Sequence, residues 1–159
     1  MMKIGRYPDY VNENAVRWIA GFTLCLALLA IFHPAWYTII PLTLGFIVRF
    51  LYGPDYSPTA KLVTRVILPK LDVSYKMIPG NPKRFAQLIG SIFTISAIIL
   101  FTTGMILEYR VLLGILSFFA FLESAFGFCA GCLVFGYLIR FGFVAEEICE
   151  KCSNINYEI

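Results

Sequence analysis

Charge is what this sequence has least of. Asp, Glu, Lys and Arg make up 14% of its 159 residues, against 59% hydrophobic residues and a mean hydropathy of +0.77. Soluble domains carry about a quarter charged residues. A chain this short also has too much surface for its volume to hide such an apolar excess in its own interior. A soluble fold is excluded on those grounds, and the excess needs lipid as its solvent. Histidine is nearly absent as well: His33 stands alone, which excludes a haem held by a pair of histidines. No glycine-rich phosphate loop and no hydrolase triad is visible. The basic residues suit anionic lipid better than nucleic acid. No cleavable signal peptide is evident either. The first apolar run begins near Ala15, outlasts a signal-peptide core and is followed by no small-x-small site, so it reads as a retained helix.

What is present is a set of long apolar runs. Lipid cannot satisfy exposed backbone polar groups, so a crossing segment must be a helix of about 20 mostly apolar residues. Four runs qualify in outline: 16–32, 35–52, 85–107 and 111–143. His33-Pro34 forms the first turn, because proline disfavours helical geometry in the residue before it, and Gly53-Pro54 ends the second run. The last run exceeds what a bilayer requires and should tilt, kink or protrude. The expected fold is all-α, a polytopic membrane protein with four transmembrane helices in a single domain over 1–159. Residues 53–84 form a cytoplasmic loop and 144–159 a cytoplasmic tail. Within the loop, Ser57 to Leu68 reads as a short interfacial helix. Ser57 would cap it, Pro58 would take its first position, and Leu62, Val63, Val66 and Ile67 would share a face. Of the 13 Lys and Arg residues, only Arg110 falls opposite the termini and the loop. That asymmetry sets both termini in the cytoplasm. Trp18, Trp36 and Tyr37 suit anchoring at the membrane–water boundary.

Five cysteines are many for such a chain. Cys25 is alone in the first run and reads as a packing residue. The others form two CxxC pairs, Cys129–Cys132 and Cys149–Cys152. A CxxC at a helix start brings two sulfurs within exchange distance, and the positive helix end favours the reactive thiolate. Gly127 and Gly131 would permit the helix break that creates such a start. Cys129 lies roughly 27 Å along a helix from Val111, near the cytoplasmic boundary, where stable disulfides are rare. Redox or sulfur-transfer chemistry, metal binding and inert close packing therefore stay open for this pair. Cys149–Cys152 follows at a spacing compatible with a four-cysteine zinc site. A transient dithiol relay with the first pair makes fewer geometric demands. Glu123, about halfway through the last run, is costly in lipid unless paired, so it is a candidate site residue. Arg49 is a candidate ion-pair partner for it. Glu123 and Cys129 share no helical face, so direct action of one on the other requires a kink at Gly127.

Four segments together carry a resemblance: Glu13-Asn14-Ala15-Val16-Arg17, Arg49 to Pro58 (RFLYGPDYSP), Pro82-Lys83-Arg84-Phe85-Ala86, and Phe121 to Cys132 (FLESAFGFCAGC). In this order they resemble the domain of unknown function 4395 family of bacterial integral membrane proteins, over nearly the whole chain. The resemblance implies a shared membrane fold in the bacterial inner (cytoplasmic) membrane, with FGFCxGC as its most recognisable feature. It brings no established activity or cofactor. Relatives associated with thioredoxin-like or rhodanese-like proteins suggest thiol or sulfane-sulfur chemistry at Cys129 and Cys132. The pair Cys149–Cys152 is not part of that pattern. The leading expectation is a thiol-disulfide or sulfane-sulfur relay. Four-helix quinone-linked disulfide enzymes offer an architectural analogy, although they serve the oxidising face, opposite to the orientation inferred here. The competing readings are a transporter of a small sulfur compound, which with so few spans would need a homo-oligomer, and a structural anchor for a cytosolic partner.

Overall fold

A computed structural model describes residues 10–53, 56–71 and 77–142. Asn12 starts the first helix, α1 (Glu13–Phe32), by accepting the Asn14 amide on its side chain at 3.0 Å, a side-chain cap for an otherwise orphaned donor. α1 stops where Pro34 forbids continuation, and α2 (Trp36–Tyr52) runs to Gly53. Gly53 has φ 90°, a left-handed geometry that favours glycine.

Next comes a helical stretch of three pieces: α3 (Pro58–Leu62), a π-helical turn (Val63–Ile67) and α4 (Leu68–Leu71). The wider turn splits the expected apolar face. Ala60, Val63 and Ile67 pack on Ala15, Ile19 and Phe22 of α1, whereas Leu62 and Val66 face outwards. A short antiparallel ladder follows, pairing β1 (Tyr10–Asn12) with β2 (Met77–Pro79) in the register Val11↔Ile78. Its consequence is positional, because it sets the starts of α1 and of α5 (Gly80–Thr102) side by side.

α5 begins and ends five residues before the span expected at 85–107. The apolar run hides a turn at Thr103-Gly104, where Gly104 takes φ 78°, and α6 (Ile106–Phe126) starts there rather than at Val111. The expected single helix over 111–143 is not found. α6 ends at Phe126, and α7 (Ala130–Arg140) leaves it at 94°. At roughly 16 Å, α7 is too short to cross a bilayer alone.

The fold is all-α apart from that ladder. Among the described residues, α1 and α5 are long and apolar enough to cross a membrane. The bent α6–α7 pair passes the same test when taken together, and α2 is a shorter apolar helix. The interior is assembled from small residues that let helices approach closely, a membrane-protein habit. Ala27, Ala30 and Ala97 are fully buried around Ile39, Leu42, Tyr109 and Leu113, and Tyr109 Oη donates to the Ala30 carbonyl at 3.1 Å. Large apolar side chains lie outside: Phe32, Leu107 and Phe126 are 78%, 72% and 72% exposed. Water would not tolerate an apolar surface of that extent on a monomer, so it suits contact with a lipid bilayer. Cys25 belongs to this outer surface rather than to the packing expected for it.

Candidate thiol site

The break between α6 and α7 is built by one glycine. Gly127 adopts φ 69°, and the amides of Gly127 and Phe128 fold back on the carbonyls of Glu123 and Leu122 at 3.0 and 3.3 Å. Arg17 of α1 secures the same end, its guanidinium donating to the carbonyls of Ser124 (3.3 Å) and Ala125 (2.7 Å). A cation on the last carbonyls of a helix satisfies orphan acceptors and opposes the negative end of the macrodipole. An alanine at 127 would have to take a left-handed conformation, costing about 1–2 kcal/mol. Its Cβ would also lie 3.1 Å from Glu13 Oε1. Gly127→Ala is therefore expected to lower unfolding stability in detergent micelles by that amount, and an unchanged stability would contradict the bend.

The new helix starts on the first cysteine. Cys129 is the N-cap of α7, in extended conformation (φ −101°, ψ 108°), and its carbonyl accepts the first intrahelical bond from Leu133 at 3.2 Å. Cys132 is then one turn into the helix. Both thiols are free and close enough to interact directly. Cys129 is buried, whereas Cys132 is half-buried. Gly131, between them, allows the close approach of α5. A Cβ there would stand 2.5 Å from Ala86 Cβ and 2.6 Å from Ala86 Cα. One turn further on, Phe135 is buried against Phe85, with ring centroids 5.6 Å apart.

Glu123 is paired, though with another residue than Arg49. Lys83 Nζ, in the first turn of α5, donates to Glu123 Oε1 at 2.5 Å, with the two side chains 7% and 17% exposed. Lys83 is also within Coulombic reach of both thiols. Arg49 is buried 26 residues away from its partner Thr23: its Nη1 donates to Thr23 Oγ1 (3.2 Å), its Nε donates to the Gly45 carbonyl (2.7 Å), and its guanidinium lies over the Phe46 ring. In the sequence, Lys83 and Arg17 stand out only as basic residues that bear on orientation. Their roles depend on contacts across 40 and more residues, which no local pattern announces. A hint lay in the family-like segments themselves, since both belong to them.

Glu123, Arg49 and Cys129 meet at one cavity of about 180 Å³, enclosed by α1, α2, α5, α6 and α7. The kink at Gly127 is what lets Glu123 and Cys129 line the same space. Most of the wall is apolar (Ile19, Phe46, Phe93, Leu116 among others), and Gln87 adds an amide whose buried Oε1 has no hydrogen-bond partner among the described residues. No group of three His, Cys, Asp or Glu side chains suited to a metal ion occurs among the described residues. Cys149 and Cys152 lie outside them, and with them the expected relay or zinc site.

A family model described as "Domain of unknown function (DUF4395)" matches residues 11–140, which takes in every helix above. Neither a curated protein nor a solved structure matches the chain.

Proposed function

The chain belongs to the DUF4395 family, and from that premise we propose that it is a membrane thiol protein whose Cys129–Cys132 pair cycles between dithiol and disulfide at the cytoplasmic face. One observation carries this reading: the last apolar run breaks so that a new helix starts on Cys129, with Cys132 one turn on and both sulfurs free. Three features support it. The helix start favours thiolate character at its N-cap, Cys129, the sulfur that leaves when a partner bonds to Cys132. The buried Lys83–Glu123 pair sets a cation and a carboxylate beside the sulfurs. Every basic residue near the site belongs to the side that the Lys and Arg distribution assigns to the cytoplasm.

The partner would be a soluble thioredoxin-like or rhodanese-like protein, meeting Cys132, the more accessible of the two. In the exchange, one sulfur of the pair bonds to a partner sulfur while the other leaves as a thiolate, and the second cysteine then resolves the mixed disulfide. The same intermediate lies on the path in either direction. Glu123 would act as a local proton acceptor for Cys129, a role the shared cavity permits.

Cys129→Ser should therefore accumulate a mixed disulfide. The Cys132 thiolate attacks an oxidised partner, one partner sulfur leaves, and the residue that would displace the partner is missing. Pull-down of this variant from cells after acid quenching is expected to yield a dithiothreitol-sensitive adduct with a thioredoxin-like or rhodanese-like protein. Cys132→Ser should yield much less. No adduct with either variant would contradict the proposal.

A further inference from the structure

We propose that the cavity beside Cys129 binds a membrane-soluble quinone, which accepts the electrons released when Cys129 and Cys132 close to a disulfide. This rests on the dithiol reading above and extends it to the electron acceptor. Its support comes from the cavity's size, its opening and its polar groups.

The volume is about 180 Å³. An apolar protein cavity of roughly 150 Å³ stays dry and takes up benzene, so this space suits a single six-membered ring with small substituents. Two of its wall residues, Phe119 on α6 and Val134 on α7, are also 41% and 46% exposed. Those two side chains join the cavity wall to the apolar outer surface, the side from which a lipid-dissolved molecule would arrive. That lateral entry serves a thiol pair on either face of the membrane, so the oxidising-side habit of other quinone-linked enzymes does not count against it.

The polar groups are few and of fitting chemistry. Cys129, one member of the pair, lines the wall. Gln87 contributes a buried amide oxygen with no partner among the described residues, and a buried acceptor left unsatisfied is costly. A quinol hydroxyl would donate to that oxygen. A quinone carbonyl would instead accept from the amide nitrogen, since one amide offers both functions. The reaction balances without a further reagent. The two thiols lose two electrons and two protons as the S–S bond forms, and the ring takes up both pairs to become the quinol. Glu123, in the same wall, is placed to pass on the Cys129 proton.

The experiment uses the full chain in lipid nanodiscs, reduced, desalted and kept anaerobic. Decylubiquinone is added, its absorbance is followed, and free thiols are counted by maleimide labelling. The expected result is one quinone reduced for each Cys129–Cys132 disulfide formed, with no reaction in Cys129→Ser. Ala120→Leu, which fills the cavity from a buried position in its wall, should slow the reaction by about tenfold or more. Size-exclusion and melting profiles confirm that this variant is folded. If diamide closes the disulfide but decylubiquinone does not, the quinone site is overturned and the dithiol reading stands. If neither oxidant closes it, the dithiol reading falls and the quinone site with it. An Ala120→Leu protein oxidised at the unaltered rate would mean that the quinone reacts elsewhere, which also overturns the site.

Discussion

Replacing Lys83 with methionine is expected to cost about 3–5 kcal/mol of stability, the penalty for removing one partner of a buried ion pair. Both side chains are mostly shielded, at 7% and 17% exposure, and meet at 2.5 Å, so solvent screening offers little relief. The loss strands the Glu123 carboxylate in a mainly apolar cavity wall. The double variant Lys83→Met/Glu123→Leu should recover most of the loss, because apolar replacement of a whole buried pair is often neutral. Reversible unfolding of the wild type, both single variants and the double variant in mixed micelles closes the thermodynamic cycle. Additive effects would mean that the two charges do not interact. The functional consequence lies at the site: without the ammonium, the Glu123 carboxylate is left uncompensated in the wall that Cys129 also lines.

Gly131→Ala tests the packing that holds the cysteine pair in place. The new methyl would fall 2.5 Å from Ala86 Cβ, 2.6 Å from its Cα and 3.2 Å from its amide nitrogen. Backbone cannot yield as a flexible side chain does, so α7 must move off α5. Overpacking of this kind costs about 1–3 kcal/mol, partly offset by the better helix propensity of alanine, at most about 1 kcal/mol. Gly131→Leu should exceed it. Removing the Ala86 methyl leaves the Cα and amide contacts at 2.6 and 3.2 Å, so Ala86→Gly is expected to rescue Gly131→Ala only in part, and full rescue would contradict the geometry. Micelle unfolding measures the loss. The rate at which diamide links Cys129 to Cys132 measures the displaced helix, and it should fall in step.

Much of the membrane fold is legible in the chain because lipid reduces it to length and hydropathy. The end of α1 at His33-Pro34 and of α2 at Gly53 follows from proline and glycine chemistry acting within a few residues. The turn at Thr103-Gly104 is hidden because both flanks are equally apolar, and a hydropathy run has no internal punctuation where two helices join through three residues. The π-helical turn at Val63–Ile67 escapes for a related reason: helical periodicity assumes a constant pitch, so it misplaces Leu62 and Val66. At the site, the length of the last run and Gly127 permit a break without requiring one, and the structure places it at Gly127. The Lys83–Glu123 pair was not legible. Both residues are visible as charges in apolar surroundings, but which charge meets which depends on how α5 lies against α6 and α7. That placement follows from Gly131, Ala86 and the β1–β2 ladder acting at a distance.

Arg17, Lys83 and Arg84 also change what the basic residues mean. Arg17 seals the end of α6, Lys83 neutralises Glu123, and Arg84 donates to the Phe50 carbonyl at 3.3 Å near the end of α2. These basic residues thus fasten helix ends around one cavity.

The most direct measurement of the central claim is redox titration of Cys129 and Cys132 in native membranes. Cys25, Cys149 and Cys152 are replaced by serine, the membranes are equilibrated across glutathione buffers, and free thiols are alkylated with a mass-tagged maleimide. The proposal predicts that both thiols are lost together in a single two-electron transition, between about −180 and −300 mV, the range of thioredoxin-like dithiols and their compartments. Two thiols that stay alkylatable in every buffer, or one lost without the other, would contradict it.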